Sequence, residues 1–158
     1  MGIESPRTRM FVVFLTGLWA AHVAVAGDAA PRETALVFKE VPSQTREFIG
    51  YYHSISLNAE QTKLKEAVLG SIPAGCCGEF SILTCCCPCN FAKSVWGLSH
   101  YAIVKLHYNA DQLRQAVLDW TSRVNPAGFT GDACHRGGCG RSFVSNGCGG
   151  MDEKKLVF

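Results

Sequence analysis

Cysteine thiols are the side chains in this chain whose number and spacing point most directly to chemistry. Six of the nine cysteines lie within the fourteen residues from Cys76 to Cys89. They form the pair Cys76-Cys77 and the run Cys85-Cys86-Cys87-Pro88-Cys89. Thiolates at this density can bind a soft metal ion, exchange disulfides or staple a loop. The sequence therefore poses a choice among three kinds of thiol chemistry.

A metal site is the interpretation that we favour. Cys86 and Cys89 have the Cys-x-x-Cys spacing of a chelate suited to Cu(I) or Zn²⁺. We expect Cys134 and Cys139, in the C-terminal tail, to complete this ligand set. The other thiols of the crowded region are alternative ligands: Cys85, Cys87, Cys76 and Cys77. His135, beside Cys134, is a further candidate.

The tail that carries the later cysteines needs an external anchor. It runs from Gly128 to Gly150 and contains eight glycines, so it has much conformational entropy to lose and little apolar surface to bury. Disulfides or a metal ion can supply that anchor. We therefore expect the tail cysteines to fold back onto the cysteine run.

Two other interpretations of the thiols stay open. The turn Cys86-Cys87-Pro88-Cys89 looks like the active-site turn of thioredoxin-type proteins, which implies disulfide exchange by a thiol of low pKa and a resolving thiol. That resemblance covers only these four residues, because a capped helix and a cysteine-bearing loop precede them instead of a strand. The third interpretation is a structural or interaction domain with four disulfides, one spare thiol and no metal.

A wider resemblance rests on the alternating Cys85, Cys87 and Cys89. In this spacing, and in the order of signal, helix, cysteine cluster, helix and later cysteines, the chain is similar to small exported bacterial proteins named for a Pro-Cys-Tyr-Cys-Gly-Cys motif. Here Pro88 lies inside the cluster, and no cysteine precedes Cys76 to accept a lipid. The resemblance implies a thiolate metal site in an exported bacterial protein.

The N-terminal residues 1–26 have the pattern of an export signal. Arg7 and Arg9 precede an uncharged run that closes on the small residues Ala24-Val25-Ala26. We expect cleavage after Ala26, giving a periplasmic or secreted chain with no membrane span; an uncleaved anchor is the alternative. The partners that we expect are a metal ion and, as a further candidate, another exported protein. A net charge of +2 without a basic stripe argues against nucleic acid.

Helical patterns dominate the rest of the chain and predict a mainly α, compact domain of about four helices over residues 43–158, after a lead-in at 27–42. The first helix is predicted at Ser43–His53 with Ser43 as N-cap. Capping boxes at Asn58-Ala-Glu-Gln61 and Asn109-Ala-Asp-Gln112 begin two more helices. The two stretches resemble each other, and both lead through Pro-Ala-Gly into cysteines. Either capped helices converged, or a helix-loop-cysteine unit is duplicated and its two loops meet.

The remaining helix begins at Asn90, directly after the cysteine run. We therefore expect Cys86 and Cys89 at its first turn, where the helix dipole lowers a thiol pKa. His100 lies three turns further along and cannot share a metal ion with Cys89 unless the helix breaks. Triads, phosphate loops and paired carboxylates do not stand out. The sequence thus favours a binding protein, and a thiol-disulfide oxidoreductase is the enzyme alternative.

Overall fold

Four α-helices make up most of the secondary structure in residues 36–158, the part of the chain that this computed structural model describes. They are α1 (Val41–Ser54), α2 (Ala59–Gly70), α3 (Asn90–Lys105) and α4 (Ala110–Val124). The strands β1 (Pro73–Ala74) and β2 (Cys77–Ser81) pair antiparallel between α2 and the cysteine run, and the tail contains the short 3-10 helices Gly138–Gly140 and Phe143–Ser145. The predicted mainly α fold is confirmed.

Side-chain caps explain where α2 and α4 begin. The Asn58 side chain accepts a hydrogen bond from the Gln61 backbone N–H at 2.9 Å, and the Gln61 side chain accepts one from the Asn58 N–H at 3.0 Å. Asn109 and Gln112 make the same reciprocal pair at 3.0 Å in each direction. Both capping boxes predicted from sequence are therefore confirmed.

The start of α1 differs from the sequence prediction. The helix begins at Val41 with Glu40 as its N-cap, and Ser43 lies inside the first turn, where its hydroxyl donates to the Glu40 carbonyl at 2.9 Å. The proposed N-cap role of Ser43 was wrong. Pro42 does not block the earlier start, because a proline in the first helical turn has no intrahelical hydrogen bond to lose.

Helix α3 forms the centre of the core. Its side chains Phe91, Val95, Leu98 and Ala102 are all buried, at the spacing that the sequence predicted. Helix α1 crosses it at Gly97, where a Cβ atom would overlap the backbone carbonyl of Phe48. Glycine at this position therefore permits the close approach of the two helices.

The C-terminal tail is anchored on the first turn of α3. The backbone N–H groups of Asn90 and Phe91 donate to the carbonyls of Gly150 at 2.9 Å and Cys148 at 3.1 Å. The buried Asn90 side chain donates to the carbonyls of Gly149 and Asp152 at 2.9 and 3.1 Å. The tail thus satisfies helix N–H groups that lack intrahelical partners. Hydrogen bonds, as well as sulfur contacts, hold the glycine-rich segment in place.

Residues 36–158 all lie in one compact unit. The predicted export signal at 1–26 and most of the lead-in lie outside the described residues. Within the described part, no helix combines the length and hydropathy that crossing a membrane requires.

Candidate metal centre

Three thiols meet between the β1–β2 loop and the start of α3. The Sγ atoms of Cys76, Cys85 and Cys89 all lie within 4.8 Å of one another, and those of Cys76 and Cys85 are 3.7 Å apart. Cys89 is the N-cap residue of α3, so the helix fixes its backbone at the base of the group. These three sulfurs lie close enough together to hold a metal ion.

The tail brings further thiols to the same place. The Sγ atoms of Cys139 and Cys148 lie within 4.8 Å of each other and of that of Cys87. The Cys86 and Cys134 Sγ atoms are 3.2 Å apart. The tail cysteines do fold back onto the cysteine run.

Shared sulfurs join these groups into one assembly. The Sγ atoms of Cys85, Cys86 and Cys87 lie within 4.8 Å of one another, so Cys85 and Cys87 each belong to two groups, and Cys86 adds Cys134. Eight of the nine cysteines therefore form a continuous set that we call the polythiolate cluster: Cys76, Cys85, Cys86, Cys87, Cys89, Cys134, Cys139 and Cys148. All nine cysteines lie in the described residues, and none is in a disulfide.

Backbone pairing explains why distant cysteines converge. The Cys134 N–H donates to the Cys76 carbonyl at 2.9 Å, which ties the segment after α4 to the loop after α2. The Phe91 N–H donates to the Cys148 carbonyl at 3.1 Å, which ties the tail to α3 beside Cys89. The cluster is thus assembled by two long-range backbone contacts at opposite ends of the tail.

Burial varies across the polythiolate cluster. Cys76, Cys89 and Cys148 are buried, whereas Cys86 is exposed and Cys85, Cys87, Cys134 and Cys139 are intermediate. Removal from water would strengthen metal–thiolate interactions at the buried end. The exposed Cys86 leaves the other end of the cluster open to solvent.

Two thiols have lowered pKa values. Hydrogen bonds from Cys76 and Cys89 lower the pKa of Cys85 to about 3. A hydrogen bond from Cys89 lowers the pKa of Cys148 to about 7. Sharing of protons among neighbouring sulfurs therefore favours thiolate at these two positions, which is the form that binds metal.

Other thiols of the cluster have raised pKa values. The pKa of Cys89 is raised because its thiol is hydrogen-bonded to Cys148, Cys76 and Cys85 and is buried. Desolvation and the hydrogen bond with Cys134 raise the pKa of Cys86. The expectation that the start of α3 lowers the pKa of Cys86 and Cys89 was wrong: Cys86 lies outside the helix, and Cys89 acts as a proton donor to its neighbours.

The structure divides the ligand set that the sequence suggested. Cys86 lies beside Cys134, Cys139 lies beside Cys87, and Cys89 belongs to the group of Cys76 and Cys85. Sequence reasoning left out Cys148, although it lies in the same glycine-rich tail as Cys134 and Cys139. The glycine-rich tail needs an anchor to offset its loss of conformational entropy, and this argument applies to Cys148 as it does to Cys134 and Cys139. It could have identified Cys148 from the sequence.

Two residues that the sequence raised as ligands, Cys77 and His100, lie apart from the cluster. Cys77 faces His135 and Glu79. His100 is held by a 2.7 Å contact of Nδ1 to the Ile55 carbonyl and a 2.9 Å contact of Nε2 to the Lys65 ammonium. It lies in the middle of an unbroken α3 and has the packing of a structural histidine.

The donor chemistry of the cluster fits a thiophilic ion. Sulfur ligands about 2.3 Å from a tetrahedral ion are about 3.8 Å from one another. The 3.7 Å between the Cys76 and Cys85 sulfurs matches that separation. Cysteine groups in close proximity can therefore hold a metal ion here. Compared with protein-family models, with curated proteins and with solved structures, the chain shows no significant match.

Proposed function

We propose that this protein binds or carries thiophilic metal ions, Cu(I) in the first place and Zn²⁺ in the second, in the polythiolate cluster. The observation that carries the proposal is the continuous contact among eight thiols. Metal groups found within this cluster contain cysteine alone, without carboxylate or imidazole. Thiolate-only ligand sets suit soft ions, and Cu(I) is the softest of the common candidates.

The number of thiols supports binding of more than one ion. A tetrahedral ion needs four ligands, so eight thiolates suffice for about two separate Zn²⁺ ions. Cys85 lies both in the group of Cys76 and Cys89 and in the group of Cys86 and Cys87, and Cys87 lies also in the group of Cys139 and Cys148. Sulfurs placed between two groups can bridge ions. This sharing favours a single multinuclear cluster.

Export to the periplasm or the cell exterior is part of the proposal. The uncharged run and the small residues that end at Ala26 support it. In an oxidising compartment, free thiols tend to form disulfides. A bound metal ion would hold the thiolates and protect them from that reaction.

The direct test counts metal ions and free thiols together. The reduced mature chain is loaded with Cu(I) or Zn²⁺ without oxygen, and intact mass is measured under native and denaturing conditions with and without alkylation. We expect more than one bound ion and protection of the cluster thiols from alkylation. A chain that binds no ion under these conditions, and that purifies with eight cysteines in disulfides, would refute the proposal.

A matched pair of substitutions locates the ions. Cys89→Ser removes a fully buried thiol that lies within 4.8 Å of the Cys76 and Cys85 sulfurs, while serine remains a good N-cap for α3. We expect Cys89→Ser to lower metal affinity by about tenfold or more. Cys77→Ser also replaces a buried cysteine, but one outside the cluster, so Cu(I) binding should be unchanged. Equal losses in the two variants would contradict the assignment.

Disulfide exchange is a second candidate function, favoured by one observation. Cys86 is exposed, and its sulfur lies 3.2 Å from that of Cys134. Cys89 is 0% exposed, which argues against its use as the resolving thiol of Cys86. If the metal-free reduced chain reduces insulin, Cys86→Ser and Cys134→Ser should abolish the activity and Cys89→Ser should not.

A further inference from the structure

Two loops run side by side next to the cluster and present side chains on two faces. The Gly131 N–H donates to the Gly75 carbonyl at 3.2 Å, the Gly78 N–H donates to the Gly131 carbonyl at 2.7 Å, and Cys134 is tied to Cys76. Cys76 lies in the turn before β2 and enters the polythiolate cluster, whereas Cys77 is the first residue of β2. Cys77 and Glu79 are two residues apart on β2, so their side chains share one face of the strand.

Cys77 meets two other potential ligands on its own side. The Cys77 Sγ atom is 4.0 Å from Nε2 of His135, and that nitrogen is 3.9 Å from Oε2 of Glu79. The three ligand atoms all lie within 4.8 Å of one another. Cys77 is 1% exposed, whereas the side chains of His135 and Glu79 are 61% and 75% exposed. The group therefore combines a buried thiol with two polar side chains that are open to solvent.

We propose that Cys77, Glu79 and His135 form a second metal site, separate from the polythiolate cluster, for a borderline divalent ion such as Zn²⁺. One thiolate, one imidazole and one carboxylate are all ligands that Zn²⁺ accepts, whereas Cu(I) prefers sulfur alone. Three protein ligands leave a fourth position for water or for a ligand from solution, as in zinc sites where exchange or chemistry takes place. This site goes beyond the proposed function, because neither site requires the other.

The distances fit an ion between the three side chains better than a plain ion pair. Around a tetrahedral Zn²⁺, sulfur–nitrogen and nitrogen–oxygen separations are about 3.3–3.6 Å. The observed 4.0 and 3.9 Å are slightly longer, and the two exposed side chains can rotate inward. A histidine–glutamate pair elsewhere in the fold, His53 and Glu153, closes to 2.9 Å without a cysteine nearby. The wider spacing at Cys77 leaves room for an ion.

Cobalt(II) provides the probe, because it replaces Zn²⁺ and its bonds to thiolate absorb light. The reduced chain is first loaded with Cu(I) to fill the polythiolate cluster and is then titrated with Co²⁺ without oxygen. We expect one further equivalent to bind with a thiolate-to-cobalt absorption band. His135→Gln should weaken this binding by about tenfold or more, and Cys77→Ser should remove the band.

The matched control is His53→Gln, which changes an exposed histidine that also contacts a glutamate but has no cysteine nearby. It should bind Co²⁺ as the unchanged chain does. The difference between His135→Gln and His53→Gln counts only ions that depend on His135, so it can be measured even if the cluster takes no Cu(I) and the proposed function fails. Equal Co²⁺ binding in these two variants, or binding without a thiolate band, would overturn the proposal.

Discussion

His100 is the residue whose ionisation the fold most clearly opposes. Its Nδ1 donates to the Ile55 carbonyl, and its Nε2 accepts from the Lys65 ammonium. Burial, and then the charge of Lys65, lower the pKa of His100. The folded state therefore requires the neutral imidazole. Lys65 is half-buried, and its Nζ atom lies 5.8 Å from the ring centre of Tyr52.

This arrangement predicts a loss of stability in acid. Below the ordinary histidine pKa of about 6.5, the unfolded chain binds more protons than the folded one. The contribution of neutral His100 is therefore complete above about pH 6.5 and is lost as the pH falls towards its lower folded pKa. Glutamine can donate to Ile55 and accept from Lys65 without titrating, so His100→Gln should lose less stability than the unchanged chain between pH 7 and pH 5.

Urea unfolding of both chains at pH 7, 6 and 5 gives the free energies of unfolding. The difference between the two curves removes the contribution of the thiols, which is common to both. If His100→Gln and the unchanged chain have parallel curves, His100 does not oppose protonation in this way.

Among the elements, the crossing of α1 over α3 sets the tightest packing requirement. A Cβ atom at Gly97 would overlap the Phe48 carbonyl and lie 2.9 Å from the Tyr52 backbone nitrogen. Backbone atoms cannot move aside as a flexible side chain can, so Gly97→Ala should lower the free energy of unfolding by about 3 kcal/mol. Gly50→Ala, with nothing within 4 Å, should instead raise it by about 0.5–1 kcal/mol. Urea unfolding measures both, and similar small effects would show that the helices can separate freely.

Local sequence patterns predicted the elements whose causes are local. The boxes at Asn58 and Asn109 located two helix starts, and the spacing of apolar residues located α3 because one of its faces is buried. Strand β2 escaped prediction, since most of its residues are exposed and no alternation of apolar and polar residues marks it. Its pairing with β1 depends on the loop between them, which a residue pattern does not encode.

For the molecule as a whole, the sequence could predict that the tail returns to the cysteine run but not which sulfurs meet. That partition depends on long-range backbone pairing, such as the bond from Cys134 to the Cys76 carbonyl. The resemblance between the two capped helices indicated which loops meet, but not which sulfurs. The loops after α2 and α4 meet, as the duplicated-unit interpretation expected, and together they carry Cys76 and Cys134.

We expect the hydrogen bonds that hold the tail on α3 to affect metal binding as well as stability. Asn90 is 0% exposed, and its side chain donates two hydrogen bonds to the tail. Its neighbour Phe91 donates its backbone N–H to the Cys148 carbonyl. Asn90→Ala should lower the free energy of unfolding by about 1–3 kcal/mol, since it leaves tail carbonyls without a donor. It should also weaken Cu(I) binding by about tenfold, because Cys148 is no longer held beside Cys89.

A control variant must lose a similar amount of stability at a position away from the tail. It shows whether weaker Cu(I) binding follows from loss of the tail contacts or from lower stability in general. Asn109→Ala removes the cap of α4 and should cost about 1 kcal/mol, yet Cu(I) affinity should remain that of the unchanged chain. Bound metal should stabilise Asn90→Ala less than Asn109→Ala: an ion at 100 times its dissociation constant adds about 2.7 kcal/mol to the folded state, and a tenfold weaker affinity reduces this gain by about 1.3 kcal/mol. Competition with a Cu(I) chelator and urea unfolding with and without metal measure the two quantities. Because the tail contributes Cys134, Cys139 and Cys148 to the cluster, equal Cu(I) affinity in the two variants would mean that the sulfur contacts alone hold the tail in place.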